Sequence, residues 1–186
     1  FPFGWQEIEG VHNRTDFDLK RHMEHSGKDL SYFDDADKSR FVPYIIETSV
    51  GADRLALAAL CNGYAEEEVK PGDMRTVLRL HPAIAPILAA ILPLVNRDGM
   101  PEIAQKIAAD LRKDFKVFLD DGGAIGRRYR RMDEAGTPFC ITVDSDTLKE
   151  PTVTLRERDS MAQTRVPIDS LAQTLRERTA FTPPAV

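Results

Sequence analysis

Three groups of side chains in this sequence have types and spacings that can do chemistry. The first is Glu47, Ser49 and Arg54. From Val42 to Val50 the chain is rich in β-branched and aromatic residues. It then passes through the small residues Gly51 and Ala52 into Leu/Ala-rich sequence that runs to Leu60 with apolar residues at helical spacing. The pattern predicts a buried strand, a tight turn and a buried helix. A period of two puts Ile45, Glu47 and Ser49 on one strand face and Tyr44, Ile46 and Thr48 on the other. A carboxylate and a hydroxyl thus project together from a strand apolar enough to be central. A buried Glu needs a cation or hydrogen bonds. Arg54, one turn into the helix, is a candidate partner. At a helix N-terminus the same guanidinium also suits a phosphate. The spacing leaves both uses open: a structural Glu–Arg pair, or a ligand site.

The second group is Glu7 and Glu9, on one face of a predicted strand. Two such carboxylates can hold Mg²⁺ between themselves and substrate phosphates, or they form a plain acidic surface. The third is Arg127, Arg128, Arg130 and Arg131 around Tyr129. Arginines bind phosphate, and planar side chains stack unpaired bases. The bland alternative is a solvated helix face paired to Asp133 and Glu134. His22 and His25, at i and i+3, supply only two metal ligands among charged neighbours and read as a solvated helix face. Ser26-Gly27-Lys28 lacks the earlier glycine of a phosphate loop, and Gly122 to Gly126 does not match the dinucleotide fingerprint.

The elements that position these groups follow from the rest of the chain. A strand is predicted from Trp5 to Val11 and a helix from Asp16 to Ser26. Strands follow at Ser31–Phe33 and Phe41–Ser49, joined by a charged loop, then the helix from Ala52 to about Tyr64. Glu66 to Asp73 reads as an exposed connection. From His81 the pattern becomes regular. An apolar run from Pro86 to Val95 predicts a strand covered on both faces. A helix over 101–115 carries Ile103, Ile107, Ala108 and Leu111 on one stripe. A strand at 116–120, the basic helix at 125–134, a strand at 137–143, a hairpin at 152–156 and 163–166, and a last helix at 167–178 complete the order. That order implies an α/β fold, a mixed five-stranded sheet flanked by helices.

Composition bounds the reading. The 186 residues are 42% apolar and 30% charged, globular values, with a net charge of −5. An acidic chain must bind nucleic acid through a local basic patch. Cys61 and Cys140 are expected to be reduced core residues of a cytoplasmic protein. No apolar run is long enough to span a bilayer, and no signal peptide is recognisable, so no membrane partner is expected. The abrupt, strand-like start predicts a piece cut from a larger protein.

The run Glu47-Thr48-Ser49-Val50-Gly51-Ala52-Asp53-Arg54 resembles motif 3 of the class II aminoacyl-tRNA synthetases. Phe3 to Gly10, Arg14 to Leu19, Arg75 to Pro82, Ile125 to Arg131 and Asp133 to Phe139 extend the likeness, in order, to glycyl-tRNA synthetases of the homodimeric type. The resemblance implies an α+β remnant of an antiparallel catalytic domain in residues 1–80 and an anticodon-binding domain in 81–186. It implies ATP contacts at Glu7, Ile8, Gly51, Ala52, Asp53 and Arg54. Glycine contacts fall at Glu47, Thr48, Ser49, Val50 and Gly51. Contacts to tRNA(Gly), and none to DNA, fall among Arg127, Arg128, Arg130 and Arg131. Thr48 and Val50 depart from the commoner Glu-Pro-Ser-Ala-Gly, but the acid, hydroxyl, glycine and arginine remain. Glycine offers no side chain, so recognition rests on its ammonium, which Glu47 suits with Ser49 beside it. Arg54 suits ATP by phosphate bonding or adenine stacking.

The implied parent is a homodimeric ligase using ATP and Mg²⁺. Its motif 1, which builds the dimer interface, and its motif 2, with an arginine for the α-phosphate, are not in this sequence. The isolated chain is therefore expected to be inactive, with no catalytic residue or metal site of its own. The other reading is a non-catalytic accessory protein that reuses the module for RNA or protein binding. Retention of Glu7, Glu47, Ser49 and Arg54 argues against it.

Overall fold

The computed structural model describes residues 1–180. By internal contacts the chain divides into Phe1–Ala58 and a second unit from Ala59 onward.

In the first unit, β1 (Glu9–Thr15) pairs antiparallel with β4 (Ile45–Val50). The register sets His12 opposite Glu47 and Gly10 opposite Ser49. Between them come α1 (Phe17–Ser26) and the hairpin of β2 (Tyr32–Asp34) and β3 (Ser39–Phe41). Helix α2 (Ala52–Gly63) follows the Gly51 corner. Three expectations are corrected here. The first strand lies later than predicted, at Glu9–Thr15 instead of Trp5–Val11. The predicted strand 41–49 is broken into β3 and β4 at Val42-Pro43-Tyr44, where proline has no N–H for a ladder. The strand and helix expected to be buried are not. Ile46 is 62% exposed and Leu55 50%, and the only buried residue of α2 is Gly63. Among the described residues β4 has one strand neighbour, β1, so a two-stranded ribbon leaves most of its apolar side chains open to water.

After the last turn of α2, the second unit carries a hairpin, β5 (Tyr64–Lys70) and β6 (Asp73–Leu78), in place of the expected exposed connection. Its turn passes through Gly72 at φ +79°, a backbone state that glycine adopts without steric cost. The alternation Ala65, Glu67, Val69 carries the strand signal, masked in the sequence by three consecutive glutamates. Then follow β7 (Ala89–Pro93), α3 (Met100–Leu111), β8 (Val117–Leu119), α4 (Ile125–Glu134), β9 (Phe139–Val143), β10 (Thr152–Glu157), β11 (Gln163–Pro167) and α5 (Leu171–Thr179). The sheet order is β11-β10-β9-β7-β8. β7 runs parallel to β8 and β9, and β10 is antiparallel to β9 and β11. This is the mixed, helix-flanked sheet that the element order implied.

The period of two divides the core between the sheet's faces. Ala89 and Ile91 pack with Ile107, Ala108, Leu171 and Leu175 of α3 and α5. Ala90, Leu92 and Cys140 pack with Met132 of α4. Each fully buried large aliphatic contributes about 1.5–3 kcal/mol, so β7, buried along its whole length, anchors both layers. Cys140 is buried as expected, whereas Cys61 is exposed, a correction that follows from the open faces of α2. No helix among the described residues is long and apolar enough to cross a membrane.

Candidate nucleotide and RNA interfaces

In the first unit, β4 and the start of α2 carry the motif 3-like residues. Glu47 is held by Arg14, not by Arg54. Arg14 donates from Nε at 2.8 Å to Oε2 and from Nη2 at 3.3 Å to Oε1. The Arg14 hydrogen bonds and charge keep the Glu47 carboxyl below its usual range, so it stays ionised. Arg54 instead donates from Nη1 to the Glu7 carbonyl at 2.6 Å, which brings the segment before β1 to the N-terminus of α2. Thr48, Ser49 and Val50 are exposed along the end of β4, and Glu7, Ile8, Gly51, Ala52 and Asp53 are exposed beside Arg54. A methyl on Gly51 would meet only Arg54 carbons at 3.7 Å, so packing does not demand glycine there.

The donors suit a polyphosphate: the other N–H groups of Arg54 and the first amides of α2. Among the described residues no three His, Cys, Asp or Glu side chains are grouped to hold a metal ion. Arg14 went unassigned in the sequence, because β-strand register cannot be read from one strand.

In the second unit, the four arginines of α4 have different fates. Arg128 is 3% exposed. Its guanidinium donates to the carbonyls of Pro93, Gly123 and Asp120, which ties the end of β7 to the loop after β8. Arg131 donates to Asp120 Oδ2 at 2.6 and 3.1 Å and to the Gly122 carbonyl. Arg130 pairs with Asp73 of the β5–β6 hairpin at 2.9 Å. Arg127 is exposed and has no charged partner among the described residues. Tyr129 donates to or accepts from Thr142 Oγ1 at 2.7 Å, and the Arg156 guanidinium lies 4.8 Å from its ring centre.

Beneath α4 lies a buried ion network absent from the sequence reading. Asp133 is fully buried and accepts from Arg156 at 2.8 and 3.1 Å and from Arg75 Nη1 at 3.1 Å. Arg75 also bonds Glu67 and donates to the Arg158 carbonyl. Burial alone would lower the Arg156 pKa, but the bonds and charge of Asp133 outweigh it and hold the guanidinium charged. The hairpin also approaches the turn after α4 closely. Gly136 sits at φ +77°, and a Cβ there would lie 3.1 Å from the Leu78 carbonyl. The alternative in which Asp133 pairs with its own helix's arginines on a solvated face is not what the structure shows, since its main partners come from β6 and β10.

Residues 88–178 match the family model described as "Anticodon binding domain", a segment that starts at β7 and includes the whole five-stranded sheet. The chain carries an anticodon-binding domain. Over nearly its full length it is similar to curated proteins named glycine--tRNA ligase. It is 54% identical to that of Borrelia hermsii over 92% of the chain, 54% identical to that of Clostridium tetani over 97%, and 55% identical to that of Bacillus cereus over 97%. In each case it spans 39% of the relative's length. The resemblance to glycyl-tRNA synthetases therefore holds from the first unit through the anticodon-binding domain. The hairpin β5–β6, clamped by Arg75, lies outside the matched segment.

Proposed function

We propose that this chain is part of a glycine–tRNA ligase, and that its own share of the work is to bind tRNA(Gly) at the anticodon. The carrying observation is the match of the five-stranded unit to an anticodon-binding domain within a chain 54–55% identical to ligases over 92–97% of its length. We place the boundary near Leu80: residues 1–80 belong to the catalytic part and 81–186 to RNA recognition.

In the whole ligase, Glu47 takes the glycine ammonium, with its carboxylate oriented by Arg14, and Ser49 lies beside it. Thr48, Val50 and Gly51 shape a pocket for the smallest amino acid. Arg54, with Glu7, Ile8, Ala52 and Asp53 around it, holds ATP. When bound, ATP with Mg²⁺ supplies the activated phosphate for adenylate formation; these residues bind, orient and neutralise charge. The parent is cytoplasmic and homodimeric. These residues assayed by themselves are expected not to charge tRNA, which an aminoacylation assay checks.

Of the α4 arginines, Arg127 is the free phosphate donor. Arg130 and Arg131 present partly exposed edges, and Arg128 fixes the loop that leads into their helix. The test is binding of tRNA(Gly), of the same tRNA with a replaced anticodon, and of both by Arg127→Ala, at one fixed salt concentration. Weaker binding to the replaced anticodon and a loss with Arg127→Ala are expected. Equal binding to both tRNAs refutes anticodon reading, and no binding at all restores the accessory-protein alternative.

A further inference from the structure

The hairpin β5–β6 precedes the matched domain, yet β6 packs along α4, the helix that carries the RNA-facing arginines. The contacts step along both elements together. Asp73 pairs with Arg130 at 2.9 Å. Arg75 donates from Nη1 to Asp133 Oδ2 at 3.1 Å. The Leu78 carbonyl meets Gly136 so closely that a Cβ there would lie 3.1 Å from it. Positions 130, 133 and 136 follow one another at slightly under one helical turn, so β6 tracks one flank of α4 and the turn that ends it. Arg75 is the middle contact and is 2% exposed. Strand alternation turns it inward with Val77. Its guanidinium also bonds Glu67 of β5 and donates to the carbonyls of Arg158 at 2.9 Å and Asp159 at 3.4 Å. One fork thus joins β5, β6, α4 and the turn after β10. The other Asp133 oxygen accepts from Arg156 of β10 at 2.8 Å.

A buried charge cluster often gives no more stability than well-packed apolar side chains of similar volume. What it adds is direction. Hydrogen bonds from a planar fork to a carboxylate fix the rotation and height of the helix that bears it, whereas apolar contacts tolerate sliding. Resting on the tRNA-binding reading above, we infer that Arg75 is a positioning residue for RNA binding. It is sealed from solvent and touches no RNA itself. Through Asp133 it sets the rotation of α4, and so the direction in which Arg127 and the free edge of Arg130 face the RNA. A strand on the catalytic side of Leu80 thereby aims a helix on the recognition side.

The triple variant Arg75→Met/Asp133→Leu/Arg156→Met separates a positioning role from a merely structural one, because it removes the charges together and fills the space with apolar atoms. Binding of tRNA(Gly), and of the same tRNA with a replaced anticodon, is measured across a salt series for the whole chain, the triple variant, Arg75→Lys and Arg127→Ala. Amide exchange of β7 and β9 first checks that each variant is folded. The triple variant is expected to keep its fold but to bind tRNA(Gly) about fivefold more weakly. Its preference for the native anticodon should fall, and its log–log salt slope should not change, since no phosphate contact is lost. Arg75→Lys keeps the charge but has no fork to hold several elements at once, and weakens binding in the same way. Arg127→Ala instead flattens the slope by about one. If the triple variant folds and binds like the original, the cluster only stabilises and the inference is overturned, while a loss with Arg127→Ala leaves the anticodon-binding reading standing. A flattened slope in the triple variant would make the cluster a phosphate contact and overturn the inference too. If the triple variant does not fold, Arg75→Lys decides, and native-like binding by it overturns the inference. If the unmodified chain does not bind RNA, both proposals fall together.

Discussion

Replacing Asp133 by Asn changes one oxygen for one nitrogen in the most buried charged group of the second unit. Asp133 is 0% exposed, and its partners Arg75 and Arg156 are 2% and 4% exposed. With the carboxylate gone, two guanidinium groups stay sealed with no shared counter-charge, and the new NH₂ faces donors in place of an acceptor. Removing one member of a buried pair costs about 3–5 kcal/mol. A domain's whole stability is about 5–15 kcal/mol. With a urea m-value of about 2 kcal/mol/M, the midpoint should fall by about 2 M. The probe must report on the right unit. The single Trp is Trp5, in Phe1–Ala58, so its fluorescence follows the other unit. Amide exchange or NMR signals of β7 and β9 are the proper readout, because a chain of two units need not unfold in one step. A triple replacement, Arg75→Met with Asp133→Leu and Arg156→Met, removes the charges together and should return most of the loss, since apolar packing replaces a buried ion cluster at little cost. A fall of under about 0.5 M for Asp133→Asn would refute the argument that this charge pins hairpin to helix.

Two other outcomes follow from titratable groups. Glu47 is held below its ordinary value of 4.5 by Arg14. Its stabilising pair is therefore fully present above that value and is lost as pH falls through the lower folded one. Carboxyl NMR of Glu47 should give a midpoint under 4.5 that rises in Arg14→Ala, and an unchanged midpoint would sink the pairing. Burial pushes the Cys140 thiol up to about 12, whereas Cys61 is exposed. At mildly alkaline pH a thiol reagent should label Cys61 in the native chain and both cysteines in denaturant; native labelling of Cys140 would contradict the packing beneath α4.

The sequence alone determined the order of elements after His81, because that part of the chain is rich in short-range signals. β7 is an unbroken apolar run, α3 repeats every three to four residues, and the β10–β11 hairpin alternates. It also determined the kinship, since the motif 3-like stretch and the basic helix are contiguous in the chain. It failed where the deciding contact was between distant residues. Glu47 went to Arg14, 33 positions away, and not to nearby Arg54. Arg128 turned inward to carbonyls at the end of β7, 35 positions back. Asp133 was claimed by Arg75, 58 positions upstream, through a hairpin read as a loop. An arginine has the same local signature whether it faces water, RNA or a buried carboxylate. Only the tertiary structure brings the competing carboxylates and carbonyls within hydrogen-bond reach, and so decides which arginines stay free.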